Sequence, residues 1–133
     1  MTQEQLLKDT IDYYSVNPAK RRCAKIGGCY YSPEKANKPS SEGCAIGRHL
    51  TPEAKIAFDD LASSDIVSIM NHDDHKAMMP DWMQEMNPDF LNSIQNLHDG
   101  PRNWDINGLT GRGKEIVNDI ITEYQLNLDR YTI

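Results

Sequence analysis

The chain has no long apolar run, and its 133 residues include only three cysteines. No stretch approaches the roughly 18 apolar residues that a membrane-spanning helix requires. Residues 1–5 contain neither a basic nor an apolar segment, so we expect no secretory signal. An odd cysteine count fits a reducing compartment better than a disulfide framework. These absences favour a cytoplasmic protein without a membrane partner.

Positive charge is also scarce, because 14 lysines and arginines face 20 acidic residues and leave a formal net charge of −6. Non-specific binding to duplex DNA depends on neutralising phosphates with basic side chains, so we expect none. The basic residues are nevertheless concentrated in one segment, which contains Lys20, Arg21, Arg22 and Lys25. This segment is a candidate part of a binding face.

Helix signals dominate the pattern. Thr2 followed by Gln5 forms a capping box, and cap residues at Thr51, Asn87 and Thr110 each precede an apolar helical stripe. The strand signals are two short alternating segments, 27–31 and 43–50. They predict the arms of one hairpin, with the Cys29 and Cys44 side chains facing each other on its inner side.

The predicted architecture is α+β: a mainly helical single domain over residues 1–133, with five or six helices and one β-hairpin in the N-terminal third. Residues 32–42 are polar and contain two prolines, which predicts a mobile hairpin loop. Residues 127–133 are predicted to form a loose C-terminal tail.

The cysteines offer two alternatives to simple burial. Cys23, Cys29, Cys44 and His49 would supply four zinc ligands, enough for a zinc-stabilised module, but no Cys-x2–4-Cys pair is present. Cys23 stands beside basic residues and is the best candidate for a reactive thiol. We favour buried thiols, and we predict no metal and no cofactor.

The histidines and aspartates suggest a different chemistry. The order of His72, His98-Asp99 and Asp119 resembles that of HD-type metal phosphohydrolases, although the intervals are compressed. Imidazoles and carboxylates are suitable ligands for a hydrolytic metal. His98-Asp99 also stands at a predicted helix end, where a histidine is favoured by the helix dipole alone. A small metal-dependent phosphohydrolase that uses His72, His75, His98 and Asp99 is therefore the alternative function.

The candidate ligand-binding residues lie around the second predicted arm. Arg48 and His49 precede a helix N-terminus, where backbone N–H groups favour anions, and Gly47 would let a ligand approach the backbone. Tyr30 would stack on a base, while Arg21 and Arg22 would supply positive charge. The competing interpretation is that Arg48 pairs with a nearby carboxylate. The predicted set is Arg48, His49, Tyr30, Arg21, Arg22 and Gly47.

Four short motifs are similar to those of a loose group of small, uncharacterised tailed-phage proteins. They are Cys29-x-Tyr31, the run Gly43-Cys44-Ala45-Ile46-Gly47-Arg48, Leu97-His98-Asp99, and Asn103-Trp104-Asp105 followed by Gly108-Leu109. The resemblance is scattered over most of residues 25–113 and identifies no catalytic residue. It implies a viral accessory protein that acts on a host cell.

The sequence therefore predicts a non-catalytic, phage-type accessory protein that binds a component of the host cytoplasm. That component is either a host or defence protein that it inhibits, or a small nucleotide signal that it sequesters. The identity of the target and the oligomeric state stay open.

Overall fold

The computed structural model of the chain describes residues 1–25, 28–29, 31, 43–61 and 65–133, and only the backbone of residues 24, 25, 28 and 29. The described part contains eight α-helices: α1 (Gln3–Ser15), α2 (Pro18–Arg21), α3 (Pro52–Asp59), α4 (Ile66–Met70), α5 (Asp73–Lys76), α6 (Asp81–Gln84), α7 (Pro88–Asp99) and α8 (Gly111–Glu123). It also contains four strands of two residues each: β1 (Ala24–Lys25), β2 (Gly28–Cys29), β3 (Trp104–Asp105) and β4 (Gly108–Leu109). Two 3₁₀ turns, Gly47–His49 and Pro101–Asn103, complete the elements.

The predicted helix starts are confirmed. Thr2 accepts a hydrogen bond from the Gln5 backbone while the Gln5 side chain accepts one from the Thr2 backbone, so α1 begins with a capping box. Side chains of Thr51, Asn87 and Thr110 each accept one backbone N–H and so cap α3, α7 and α8, without the reciprocal bond of the capping box. These local interactions satisfy N–H groups that have no partner inside a helix.

The position of the predicted hairpin is wrong. Residues 43–50 form a turn followed by the Gly47–His49 3₁₀ turn rather than a strand. Cys29 pairs with Ala24 across the short β1–β2 ladder, so Cys29 and Cys44 do not face each other in a hairpin. The hairpin that is described in full, β3–β4, lies near the C-terminal end of the chain. The mostly helical α+β class is confirmed, but the described residues form eight α-helices rather than the predicted five or six, because short helices of four or five residues lie between the longer ones.

The β3–β4 hairpin turns at Ile106 and Asn107. Neither residue has a positive φ, whereas Gly108 has a φ of +109°. This is the arrangement of a type I turn followed by a glycine bulge. The Asp105 side chain accepts a hydrogen bond from the Asn107 backbone at 2.8 Å, which stabilises the turn locally.

Helix α7 is the centre of the packing. It buries six of its twelve residues and contacts α1, α4 and α8. Its amphipathic pattern explains this position, because apolar side chains recur on one face every three or four residues. The core around it includes Leu6, Leu7 and Tyr14 of α1, all fully buried.

The C-terminal end of α7 accepts hydrogen bonds from two other parts of the chain. The Leu97 carbonyl accepts from the Asn103 amide at 3.0 Å and from the Trp104 indole at 2.9 Å. The Arg22 guanidinium donates to the carbonyls of His98 and Asp99, at 2.7 and 3.0 Å. The last carbonyls of a helix have no intrahelical partner, so these contacts complete α7.

The segment after α8 has no helix or strand but is in contact with the rest of the chain. The side chain of Asn118 bonds the backbone of Tyr131 twice, and Glu4 accepts a hydrogen bond from the Asn127 backbone. Partial burial, and then the nearby Asp12 carboxylate, raise the pKa of Tyr131 above its ordinary value of 10.0.

Within the described part of the chain, no helix combines the length and the apolar character needed to cross a membrane. The predicted loop at 32–42 lies outside the described residues.

Replacing Arg22 with methionine tests the role of the α7 end. We expect Arg22→Met to lower the free energy of unfolding by about 2–3 kcal/mol, because two carbonyls lose a charged donor while the apolar stem is kept. The measurement is urea unfolding followed by circular dichroism. Arg112→Met, at an exposed position, is the control and should change stability by less than about 0.5 kcal/mol. Equal effects of the two variants would contradict the assignment.

Candidate binding face

Two guanidinium groups meet at one aromatic ring. The central carbon of the Arg48 guanidinium lies 3.9 Å from the centroid of the Tyr13 ring, and that of Arg21 lies 4.5 Å from it. Arg21 also donates to the Tyr13 carbonyl at 3.0 Å. Cations within about 6 Å of an aromatic centroid are attracted by its quadrupole. Tyr13 therefore connects the basic segment to the turn at residues 43–50.

The Asp9 carboxylate balances part of this charge. Asp9 Oδ2 accepts a hydrogen bond from Arg48 Nη1 and lies 3.6 Å from His49 Nε2. Arg48 and His49 are each only 13% exposed, and Asp9 is 37% exposed. We call Asp9, Tyr13, Arg21, Arg48 and His49 the Tyr13 cluster. Its geometry matches the interpretation of Arg48 as a paired charge.

The backbone before Arg48 is fixed by buried contacts. Cys44 Sγ accepts a hydrogen bond from the Gly47 backbone at 3.3 Å, and the Gln95 side chain accepts one from the Ile46 backbone at 3.2 Å. The His49 ring packs edge-on against Trp82, with centroids 5.3 Å apart. These contacts hold Arg48 and His49 against α1.

Gly47 has a different neighbour from the one predicted. A Cβ atom at this position would lie 2.4 Å from the Tyr31 carbonyl oxygen and 2.8 Å from its Cα atom. The protein's own backbone therefore occupies the close approach that the sequence analysis attributed to a ligand.

Arg22 also lies apart from the predicted constellation, since its side chain bonds the end of α7 rather than the Tyr13 cluster. Tyr30 lies outside the described residues. The structure thus brings together Arg21, Arg48 and His49 of the six predicted residues. Their use by a ligand stays a prediction.

His98 has a structural environment. It is fully buried, its Nδ1 lies 2.7 Å from Asp99 Oδ1, and its Nε2 accepts a hydrogen bond from the Cys23 backbone at 3.0 Å. Because a backbone N–H can only donate, Nε2 carries no proton and the ring proton is assigned to Nδ1. The preference for helix termination at His98-Asp99 agrees with this geometry.

The other two histidines of the alternative metal site, His72 and His75, belong to α5 and its N-cap, whereas His98 and Asp99 lie in α7. The rings of His72 and His75 lie 5.5 Å apart on and beside α5. Among the described residues, no group of three or more histidine, cysteine, aspartate or glutamate side chains is arranged to hold a metal ion. Cys23 and Cys44 are thiols with no exposed surface, whereas reactive thiols are partly exposed.

The sequence analysis missed a groove between α2 and the β3–β4 hairpin. It has a volume of about 460 Å³ and is lined by Asn17, Pro18, Ala19, Arg22, Trp104, Asp105 and Ile106. We call it the hairpin groove. Ile106, at the tip of the hairpin, is 89% exposed. The sequence did contain one indication of an exposed apolar site here: an isoleucine stands between Asp105 and Asn107, where turns favour polar residues.

No family model matches the chain, and no curated protein or solved structure is significantly similar to it. These comparisons therefore assign the chain to no class of function.

Replacing Gly47 with alanine tests its structural role. We expect Gly47→Ala to lower the free energy of unfolding by about 2–4 kcal/mol, because the new methyl group overlaps the Tyr31 backbone. Gly111→Ala is the matched control: nothing lies within 4 Å of its Cβ position, so stability should be unchanged or rise by up to about 1 kcal/mol. Chemical denaturation measures both, and a neutral Gly47→Ala would overturn the assignment.

Replacing Asp9 with asparagine tests the ion pair. Asp9→Asn should lower stability by about 1 kcal/mol, since Arg48 loses its counter-charge in a partly buried site. The difference from wild type should shrink between low and high salt. Asp119→Asn, at an exposed position, serves as the control in the same thermal and urea melts. A loss of the same size in Asp119→Asn would contradict a specific role for the pair.

Proposed function

We propose that this chain is a non-catalytic, phage-type accessory protein that binds a host protein and inhibits it in the cytoplasm of the host cell. The observation that carries the proposal is the exposed Ile106 beside the open hairpin groove. Ile106 lines this groove together with Pro18 and Trp104, and apolar side chains grouped in a patch, rather than one exposed alone, are typical of protein contact sites. The motifs shared with small phage proteins support a partner from the host.

The state of the Tyr13 cluster supports a protein partner over a nucleotide. A phosphate group would need the Arg48 guanidinium, which is already paired with Asp9 and stacked on Tyr13. A phosphate at Arg48 would also lie close to the Asp9 carboxylate, and repulsion between the two negative charges opposes binding.

Sequestration of a small nucleotide is the second candidate. It is favoured by the convergence of Arg21, Arg48 and His49 near one aromatic ring, because guanidinium groups recognise phosphates and rings stack on bases. The phosphohydrolase alternative has less support, since both ring nitrogens of His98 already have partners.

The test begins with capture of host proteins by the immobilised full-length chain, followed by identification and purification of the captured protein. We expect the two purified proteins to form a stoichiometric complex in size-exclusion chromatography with light scattering, and the partner's activity to fall on binding. Ile106→Asp should weaken the complex by about tenfold or more, as is typical of a central apolar contact. Ile56→Asp, at a position 60% exposed on α3, should not.

A parallel thermal-shift assay with linear and cyclic nucleotides separates the two candidates. The protein-binding proposal expects no shift. A nucleotide-dependent rise in melting temperature that disappears in Arg48→Ala would establish the second candidate instead. If neither a purified partner nor a nucleotide binds, the binding function is refuted.

A further inference from the structure

The residues that line the hairpin groove come from two basic segments of an acidic protein. In the sequence, residues 16–25 and 100–113 together contain six basic residues and one acidic residue. The formal charge of these two segments is therefore +5, in a chain whose total is −6. The basic residues are Lys20, Arg21, Arg22, Lys25, Arg102 and Arg112.

The positive charge closest to the groove comes from α2 and its C-cap. Arg22 lines the groove, and Asp105, the one carboxylate among the lining residues, offsets its charge and accepts a hydrogen bond from the Asn107 backbone. Lys20 is exposed in the last turn of α2, immediately after the groove residue Ala19, and adds a positive charge beside the groove. The surroundings of the groove favour an anionic occupant by charge complementarity.

The groove also offers apolar surface. Trp104 and Pro18 form part of its wall, and Ile106 stands almost fully exposed at its edge. Val16, one residue before the groove residue Asn17, is 56% exposed. A volume of about 460 Å³ lies within the range of pockets that enclose a compact ligand or anchoring side chains.

The wall of the groove is rigidly supported. The Trp104 indole donates to the Leu97 carbonyl, and Arg22 bonds the two carbonyls that follow. A Cβ atom on Gly108 would lie 3.0 Å from Ser15 Oγ, so the hairpin packs closely on the end of α1. A preformed site loses less entropy on binding than one that must be ordered first.

From these observations we infer that the hairpin groove binds an acidic segment of a partner protein, which inserts a large apolar side chain against Trp104 and Ile106 and places carboxylates near Lys20 and Arg22. This inference rests on the proposed protein-binding function and names the chemistry of the partner. A nucleic acid would satisfy the positive charge but would leave the apolar edge of the groove unmatched, so we favour the peptide.

The experiment titrates the full-length protein, labelled with ¹⁵N, with a synthetic peptide that has a phenylalanine–leucine pair flanked by glutamates and aspartates. We expect saturable binding with a Kd of about 0.1–1 mM, as for a small isolated contact. The indole signal of Trp104 should shift while that of Trp82 should not. Raising sodium chloride from about 50 to 500 mM should weaken binding about fivefold or more.

Three probes serve as controls: a peptide with lysines in place of the acidic residues, a peptide with serines in place of the apolar pair, and a single-stranded oligothymidylate. Each should bind at least about tenfold more weakly than the acidic apolar peptide. Ile106→Ser and Lys20→Glu should each reduce affinity about fivefold or more, and Ile56→Ser should leave it unchanged. Retained melting temperatures show that the variants are folded.

The inference is overturned if the acidic peptide shows no saturable binding up to about 2 mM, which is the weakest affinity that such a contact would have. It is also overturned if the lysine peptide or the oligonucleotide binds as well or better, or if the shifts centre on Trp82. Its failure is distinguishable from that of the proposed function. A purified host partner that still binds Ile106→Asp would preserve the function and refute the groove. Peptide binding without any host partner would support the groove and refute the proposed function.

Discussion

The end of α7 is the constraint on which the rest of the structure depends. A helix that stops inside a protein leaves its last carbonyls without partners, and leaving buried carbonyls unpaired costs several kcal/mol in total. Here Arg22 and the pair Asn103 and Trp104 bring donors from two distant parts of the sequence. The ring of His98, one residue before the end of the helix, accepts the backbone N–H of Cys23. The basic segment and the hairpin are therefore both attached to one helix terminus.

This arrangement explains why a small protein with short elements has a defined binding face. Helix α2 has four residues and each strand has two, which is too short for independent stability. Their positions come from the side chains that complete α7. The turn at residues 43–50 is held by Tyr14, whose hydroxyl donates to the Gly43 carbonyl. Local structure at the face is thus a consequence of tertiary contacts.

The parts of the fold that could be predicted from the sequence are those governed by neighbouring residues. The capping residues Thr2, Thr51 and Thr110 act within three positions of themselves, and the glycine–proline stop after Asp99 is equally local. These signals need no knowledge of the rest of the chain.

What could not be predicted depends on contacts across long stretches of sequence. Alternating residues at 43–50 suit a strand, but the turn there is held by Gln95, 49 residues from its partner Ile46. The same holds for Gly47, whose missing side chain accommodates the Tyr31 backbone. The predicted grouping of Arg48 with Arg21 was close to the observed cluster, yet the opposing Asp9, 39 residues before Arg48, gave no local sign.

The Arg22 side chain has two roles, because it lines the hairpin groove and also donates hydrogen bonds to the final carbonyls of α7. Any occupant that draws the guanidinium toward itself weakens those two bonds, and one that packs over its stem strengthens them. Occupancy of the groove is therefore coupled thermodynamically to fraying of the last turn of α7. Binding of a ligand in the groove would therefore change the amide-exchange rates of the last turn of α7.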